Sequence, residues 1–292
     1  DEEALVSAVK DGKVSGAAFD VFAKEPPDAD NPLLALDEVI VTPHLGASTT
    51  EAQENVAVAV ANQMADYLVN GTIKNAINVP SVPAELLTIL SPYITLADKL
   101  GSFQGQFLAG GIEEVSVEYS GEVAEFDVAP ITIACLKGLL GHVMDQTVNF
   151  VNAPSIAKER GIKVIEVKSS LSADYASSVT LRVKTGSEEH IIEGVIFGKS
   201  EPRIVRVNRF SLDVIPEGFL LFLHNEDKPC VIGNVGTLLG EGSINIARLH
   251  LGRESVGKEA VSVWNIDTPL SDELMEKLLK LPNIISAKVV EL

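Results

Sequence analysis

Apolar residues recur along this chain in several distinct rhythms. Residues 16–22 (GAAFDVF) and 39–42 (VIVT) are short apolar runs closed by polar residues, which predicts two buried strands. Pro43 ends the second, because a proline cannot extend a ladder. Ahead of them, Asp1-Glu2-Glu3 reads as the acidic first turn of a helix already under way. Ser48-Thr49-Thr50-Glu51 has the form of a capping box. Val56, Val60, Met64 and Leu68 then follow at helical spacing, and Asn70-Gly71 closes the element. Residues 72–82 read as an extended exit strand and linker.

Ser91-Pro92 predicts another helix with proline at its first position, carrying Leu96, Leu100, Phe103 and Phe107 and ended by Gly110-Gly111. Residues 112–119 (IEEVSVEY) alternate as a half-buried strand does. Short helices over 130–142 and 154–160 precede strands at 162–167, 178–183, 190–197 and 203–207, an α+β block of ordinary domain size. From 219 the rhythm changes again. A strand (219–224), a helix (230–239), two strands around a 254–258 hairpin, a helix from Ser271 and a last strand give βαββαβ, the ferredoxin-like order.

Composition narrows the partners. The 292 residues are 46% hydrophobic and 22% charged, with a net charge of −18. The sequence pI of about 4.6 argues against nucleic acid and anionic membranes. The two cysteines, Cys135 and Cys230, are too few and too distant for a disulfide framework or a metal knuckle. No apolar run reaches membrane-spanning length. A reducing cytoplasm is the expected compartment, and there the Asn70-Gly71-Thr72 sequon is simply a turn after a helix.

Candidate chemistry concentrates in residues 17–48. Asp20 ends the first strand, Glu25 precedes Pro26-Pro27, and His44 follows Thr42-Pro43. Glu25 and His44 both stand just past strand ends, where open α/β sheets place ligands. A carboxylate beside an imidazole raises its pKa and poises it for proton transfer near neutrality. Taken singly, each residue has a plainer reading, a solvated loop glutamate and a packed histidine. The string FDVFAKEPP…NPLL…VIVTPHLGAST, with its motifs in order, resembles the NAD-dependent D-2-hydroxyacid dehydrogenases, and most closely the long-form phosphoglycerate dehydrogenases. The resemblance implies that Glu25 and His44 form a catalytic couple, that Asp20, His44 and Gly46 lie at the nicotinamide end of NAD, and that 3-phosphoglycerate is the substrate. The family's substrate-binding Arg and its G-x-G-x-x-G fingerprint belong upstream of these motifs. The chain therefore reads as a C-terminal portion of a longer enzyme, inactive by itself.

The α+β block, through stretches such as VNFVNAPSIAKERGI, resembles that family's intervening, allosteric substrate-binding domain. Lys168, Arg182, Arg206 and Arg209 are its candidate cations for a phosphorylated ligand; lone solvated cations are the alternative. Residues 194–200 (GVIFGKS) imitate a phosphate loop, but Glu193 stands where the first glycine belongs and Pro202 blocks the helix such a loop must feed. The last segment, with Asp227-Lys228-Pro229 in its first turn and SINIA opening its second strand, resembles an ACT domain. That implies an effector site for an amino acid such as L-serine at Asn225, Asp227 and Asn245, and assembly as a homo-oligomer. Cys230 departs from the family's usual glycine. It is either a buried inert thiol or, at a helix N-terminus, a reactive one.

The expected architecture is therefore α/β and α+β multidomain: the end of a Rossmann-type domain (1–48), a crossover helix with return segment (49–82), an intervening domain (83–213) and a ferredoxin-like ACT domain (218–292). No metal site is expected. Two other readings remain open, a different D-2-hydroxyacid dehydrogenase and a non-catalytic amino-acid-binding module.

Overall fold

The computed structural model describes residues 1–70, 74–77, 84–108, 110–171, 174–186 and 188–292. Most of the expected 72–82 linker, and the Gly71-Thr72 part of the sequon, lie outside the described residues. The chain forms two compact units, Asp1–Lys74 and Asn75–Leu292.

In the first unit, helix α1 (Glu2–Lys10) is capped by Asp1, whose side chain accepts from the Ala4 N–H. Strands β1 (Ala17–Phe19) and β2 (Val39–Val41) are shorter than the apolar runs suggest and pair in parallel, Phe19 opposite Val41. Val6, Phe22 and Leu33 form a small core with Phe19, Leu36 and Val39 packed around it. Helix α2 (Thr50–Asn70) is capped by Thr49, not Ser48, because a short 3-10 turn takes up Gly46–Ser48. Its stripe at Val56, Val60, Met64 and Leu68 has the predicted spacing, yet each residue is between 47% and 77% exposed.

The second unit is built on two sheets. Strands β3 (Glu114–Gly121), β4 (Lys163–Ser169), β5 (Ser177–Thr185), β6 (Glu188–Phe197), β7 (Glu201–Val207) and β8 (Phe210–Val214) form one, in the order β4-β3-β5-β6-β7-β8. Only β3 and β4 run in parallel. Helices α3 (Ala84–Phe107), α4 (Ala129–Gly141) and α5 (Ala153–Glu159) contribute Leu100, Phe103, Leu139 and Ile156 to the core on this sheet. Helix α3 starts well before the expected Ser91-Pro92 and runs through Pro92. An internal proline costs about 3 kcal/mol. Burial of Leu90 in the preceding turn returns roughly 1.5–3 kcal/mol, which offsets much of that penalty. The rejected phosphate loop is a β-hairpin, its glycine Gly198 turning at φ 60° between β6 and β7.

The second sheet has the order β10-β11-β9-β12, wholly antiparallel, made by β9 (Phe219–Glu226), β10 (Ile246–Arg253), β11 (Glu259–Ile266) and β12 (Ile284–Glu291). With α6 (Val231–Glu241) and α7 (Asp272–Leu279) it completes the βαββαβ topology. One face carries Leu221, Leu223 and Trp264 into a core with Val235, Leu239 and Leu278. On the other, Leu220, Val261, Val263 and Val290 join the core of the six-stranded block. Phe222 meets Phe103 and Phe107 edge-on. FLLFL is an unbroken apolar run because both faces of β9 are covered.

Glycines let α3 and α4 approach closely. A Cβ on Gly138 would stand 2.1 Å from the Asp98 carbonyl oxygen, and one on Gly101 2.2 Å from that of Cys135. Both obstacles are backbone and cannot rotate aside. Gly138→Ala is expected to destabilise the second unit by about 1–3 kcal/mol. Urea unfolding followed by the fluorescence of Trp264, the sole tryptophan, measures it; an unchanged midpoint would contradict this account of the helix contact.

Candidate active site

Parallel pairing brings the C-terminal ends of β1 and β2 to one edge, with the Thr42 N–H donating to the Phe19 carbonyl (3.0 Å). Asp20 and Thr42 emerge there as neighbours. The Asp20 carboxylate accepts from the Thr42 hydroxyl, the Leu45 N–H (2.7 Å) and the Gly46 N–H (2.8 Å). These donors hold its pKa below the ordinary carboxylate value, the Thr42 hydroxyl contributing most. Between Thr42 and Leu45 the chain turns sharply, and His44 has a left-handed backbone at φ 51°.

Glu25 reaches the same place from the loop after β1. One of its oxygens accepts from the Phe22 N–H (3.1 Å), and the other lies 2.8 Å from Nδ1 of His44. The two side chains, nineteen positions apart in sequence, thus meet at the sheet edge. Their hydrogen bond is the main reason the His44 pKa is raised and that of Glu25 lowered, with the Glu25 charge acting on the imidazole in the same direction. The His44 side chain is 56% exposed, so the couple is open to an incoming molecule. A cleft of about 440 Å³ adjoins it, walled by Phe22, Pro26, Leu34, Val41 and Pro43.

Such an arrangement can move a proton. With a carboxylate at Nδ1, the neutral ring keeps its proton there and presents the Nε2 lone pair outward. Thr42, which chemical reading of the sequence passed over, is part of the site. The parallel register of two strands that both end in polar residues is the signal that could have found it.

The other candidates are dispersed. Asn225 is buried at the end of β9 and donates to the Glu226 carbonyl (2.8 Å). Asp227 accepts from the Gly257 N–H (3.1 Å) and braces the β10–β11 hairpin. Asn245 donates to Asp267 (2.8 Å) just before β10, whose start is aligned through β11 with Phe219. Asn225 and Asn245 thus lie at opposite ends of the sheet, separated by about 20 Å of strand. β9 and β10 run the same way, so within one chain the end of one does not meet the start of the other. Lys168 donates to the Phe126 carbonyl (2.6 Å), Arg182 pairs with Glu118 (2.7 Å), Arg206 with Glu193 (2.8 Å) and Arg209 with Glu259. Cys230 is exposed, which removes the buried reading, and stands at φ 70° just before α6, where glycine is the least strained choice. Cys135 is buried, and burial pushes its thiol pKa up.

Residues 1–46 match the family model described as D-isomer specific 2-hydroxyacid dehydrogenase, NAD binding domain. Residues 89–208 match that of the D-3-phosphoglycerate dehydrogenase intervening domain. Over its full length the chain is 41% identical to a D-3-phosphoglycerate dehydrogenase of Synechocystis, 53% of which it covers. It is likewise 41% identical to that of Methanocaldococcus jannaschii and 38% to that of Bacillus subtilis, covering 55% of each. The chain spans about half the length of the curated relatives it matches. The two domain matches, NAD-binding then intervening, fall within a similarity to D-3-phosphoglycerate dehydrogenases that extends over the whole chain.

Proposed function

We propose that this chain is the C-terminal portion of a cytoplasmic, NAD-dependent D-3-phosphoglycerate dehydrogenase, oxidising 3-phosphoglycerate to 3-phosphohydroxypyruvate at the entry to L-serine synthesis. The observation that carries the reading is the 2.8 Å contact between His44 Nδ1 and Glu25. The adjoining cleft fits the nicotinamide end of the cofactor, because its walls are apolar while the couple stands at its edge. NAD, when bound, accepts the hydride. Residues 1–74 contain neither a G-x-G-x-x-G run nor an arginine, so the fit argued for this cleft concerns the nicotinamide ring.

His44 takes the substrate hydroxyl proton on Nε2 as the C2–H bond breaks, and becomes imidazolium. Glu25 stabilises that cation and fixes the ring's orientation. The Phe22 N–H in turn fixes Glu25, so its carboxylate cannot follow the ring if the ring rotates. Oxidation requires neutral His44, and the activity is therefore expected to rise with pH through a midpoint above the ordinary imidazole value. In the complete enzyme, His44→Ala should lower kcat by about 10²–10⁴. Glu25→Gln removes the charge that stabilises imidazolium, which lowers the His44 pKa and moves the kcat midpoint to lower pH. An unmoved midpoint would contradict the assignment.

The βαββαβ segment is proposed as an ACT-type sensor for L-serine in a homo-oligomer. With Asn225 and Asp227 at one end of the sheet and Asn245 at the other, a site using all three takes them from two copies of the chain. Calorimetric titration with L-serine should give heat at micromolar to millimolar ligand, lost in Asn245→Ala. Absence of heat from the unmodified chain would leave the segment a structural module.

A further inference from the structure

His44 occupies a backbone conformation that side-chain-bearing residues avoid, and it does so on an exposed turn. Something must hold it there. Pro43 fixes its own φ and donates no hydrogen bond, so restraint has to come from the residues around the pair. The His44 N–H closes onto the Thr42 carbonyl (3.0 Å), and the next two N–H groups, those of Leu45 and Gly46, both point at Asp20. The Thr42 hydroxyl donates to the same oxygen of Asp20 that Leu45 uses. Thr42 is itself anchored to β1 through its N–H. Asp20 is thereby fixed from the strand side by the hydroxyl and fixes the loop side through two backbone donors.

We propose that Asp20 and Thr42 form a clamp that positions His44, with Thr42 aiming the carboxylate and the carboxylate holding the left-handed turn that presents the imidazole to Glu25. This rests on the reading of Glu25 and His44 as the catalytic couple. It makes both clamp members positioning residues. Three of the four lone-pair directions of the Asp20 carboxylate are taken, one by Thr42 and two by the loop, and its geometry is that of a staple closing residues 42–46. The Gly46 N–H is likewise committed to this staple.

The test uses the 292-residue chain, with the His44 ring titrated by NMR and amide exchange followed at Leu45 and Gly46. Thr42→Val keeps the side-chain shape and deletes the hydroxyl. It should lower the His44 midpoint by about half a pH unit or more and speed exchange at both amides. Thr42→Ser should restore both. Should Thr42→Val fail to fold, Thr42→Ala serves in its place with the same expectation. Glu25→Gln is the separate arm. If it lowers the midpoint while the Thr42 variants leave midpoint and exchange unchanged, the couple stands and the clamp is overturned. If Glu25→Gln leaves the midpoint unmoved, the couple itself fails.

Discussion

The hydrogen bond between Glu25 and the Nδ1 of His44 is the constraint on which the functional account depends. Neither residue is notable alone, since both are solvent-facing and both sit on irregular chain. Their meeting follows from the backbone. Two three-residue strands pair in parallel, so that their C-terminal ends, and the loops that leave them, share one edge. Shifting that register by one residue would turn every strand side chain to the opposite face and carry Thr42 away from Asp20. The meeting of Glu25 and His44 is thus a property of a very small sheet.

Much of this was legible before any coordinates. The strand runs, the prolines after them and the order of Asp20, Glu25 and His44 pointed to the edge where the three residues meet. In the second unit, the α+β block and the βαββαβ order could be followed from apolar rhythm alone. The missed strand β8 is instructive. Asn208-Arg209 forms a two-residue turn, with Asn208 at φ 51°, so that Val207 and Phe210 pair directly. Asparagine tolerates that backbone, and the turn was the signal.

Other features could not be read, for definite reasons. The Ser91-Pro92 boundary failed because propensity was outweighed by burial on the N-terminal side of the proline, something local sequence does not encode. The stripe on α2 has helical spacing, which establishes that a face exists but not what covers it. How Asn225, Asp227 and Asn245 lie in space depends on strand direction, which puts Asn245 at the far end of the sheet from the other two. The clamp on His44 was hidden because two of its three donors are backbone N–H groups, invisible to any reading of side-chain types.

The central claim is that Glu25 fixes the ring of His44 so that Nε2 is free to take a proton. The most direct measurement is the nitrogen-15 shifts of the two ring nitrogens of His44 at a pH above its midpoint. The account predicts the neutral ring protonated on Nδ1, with Nε2 bare. A neutral ring carrying its proton on Nε2 would contradict it.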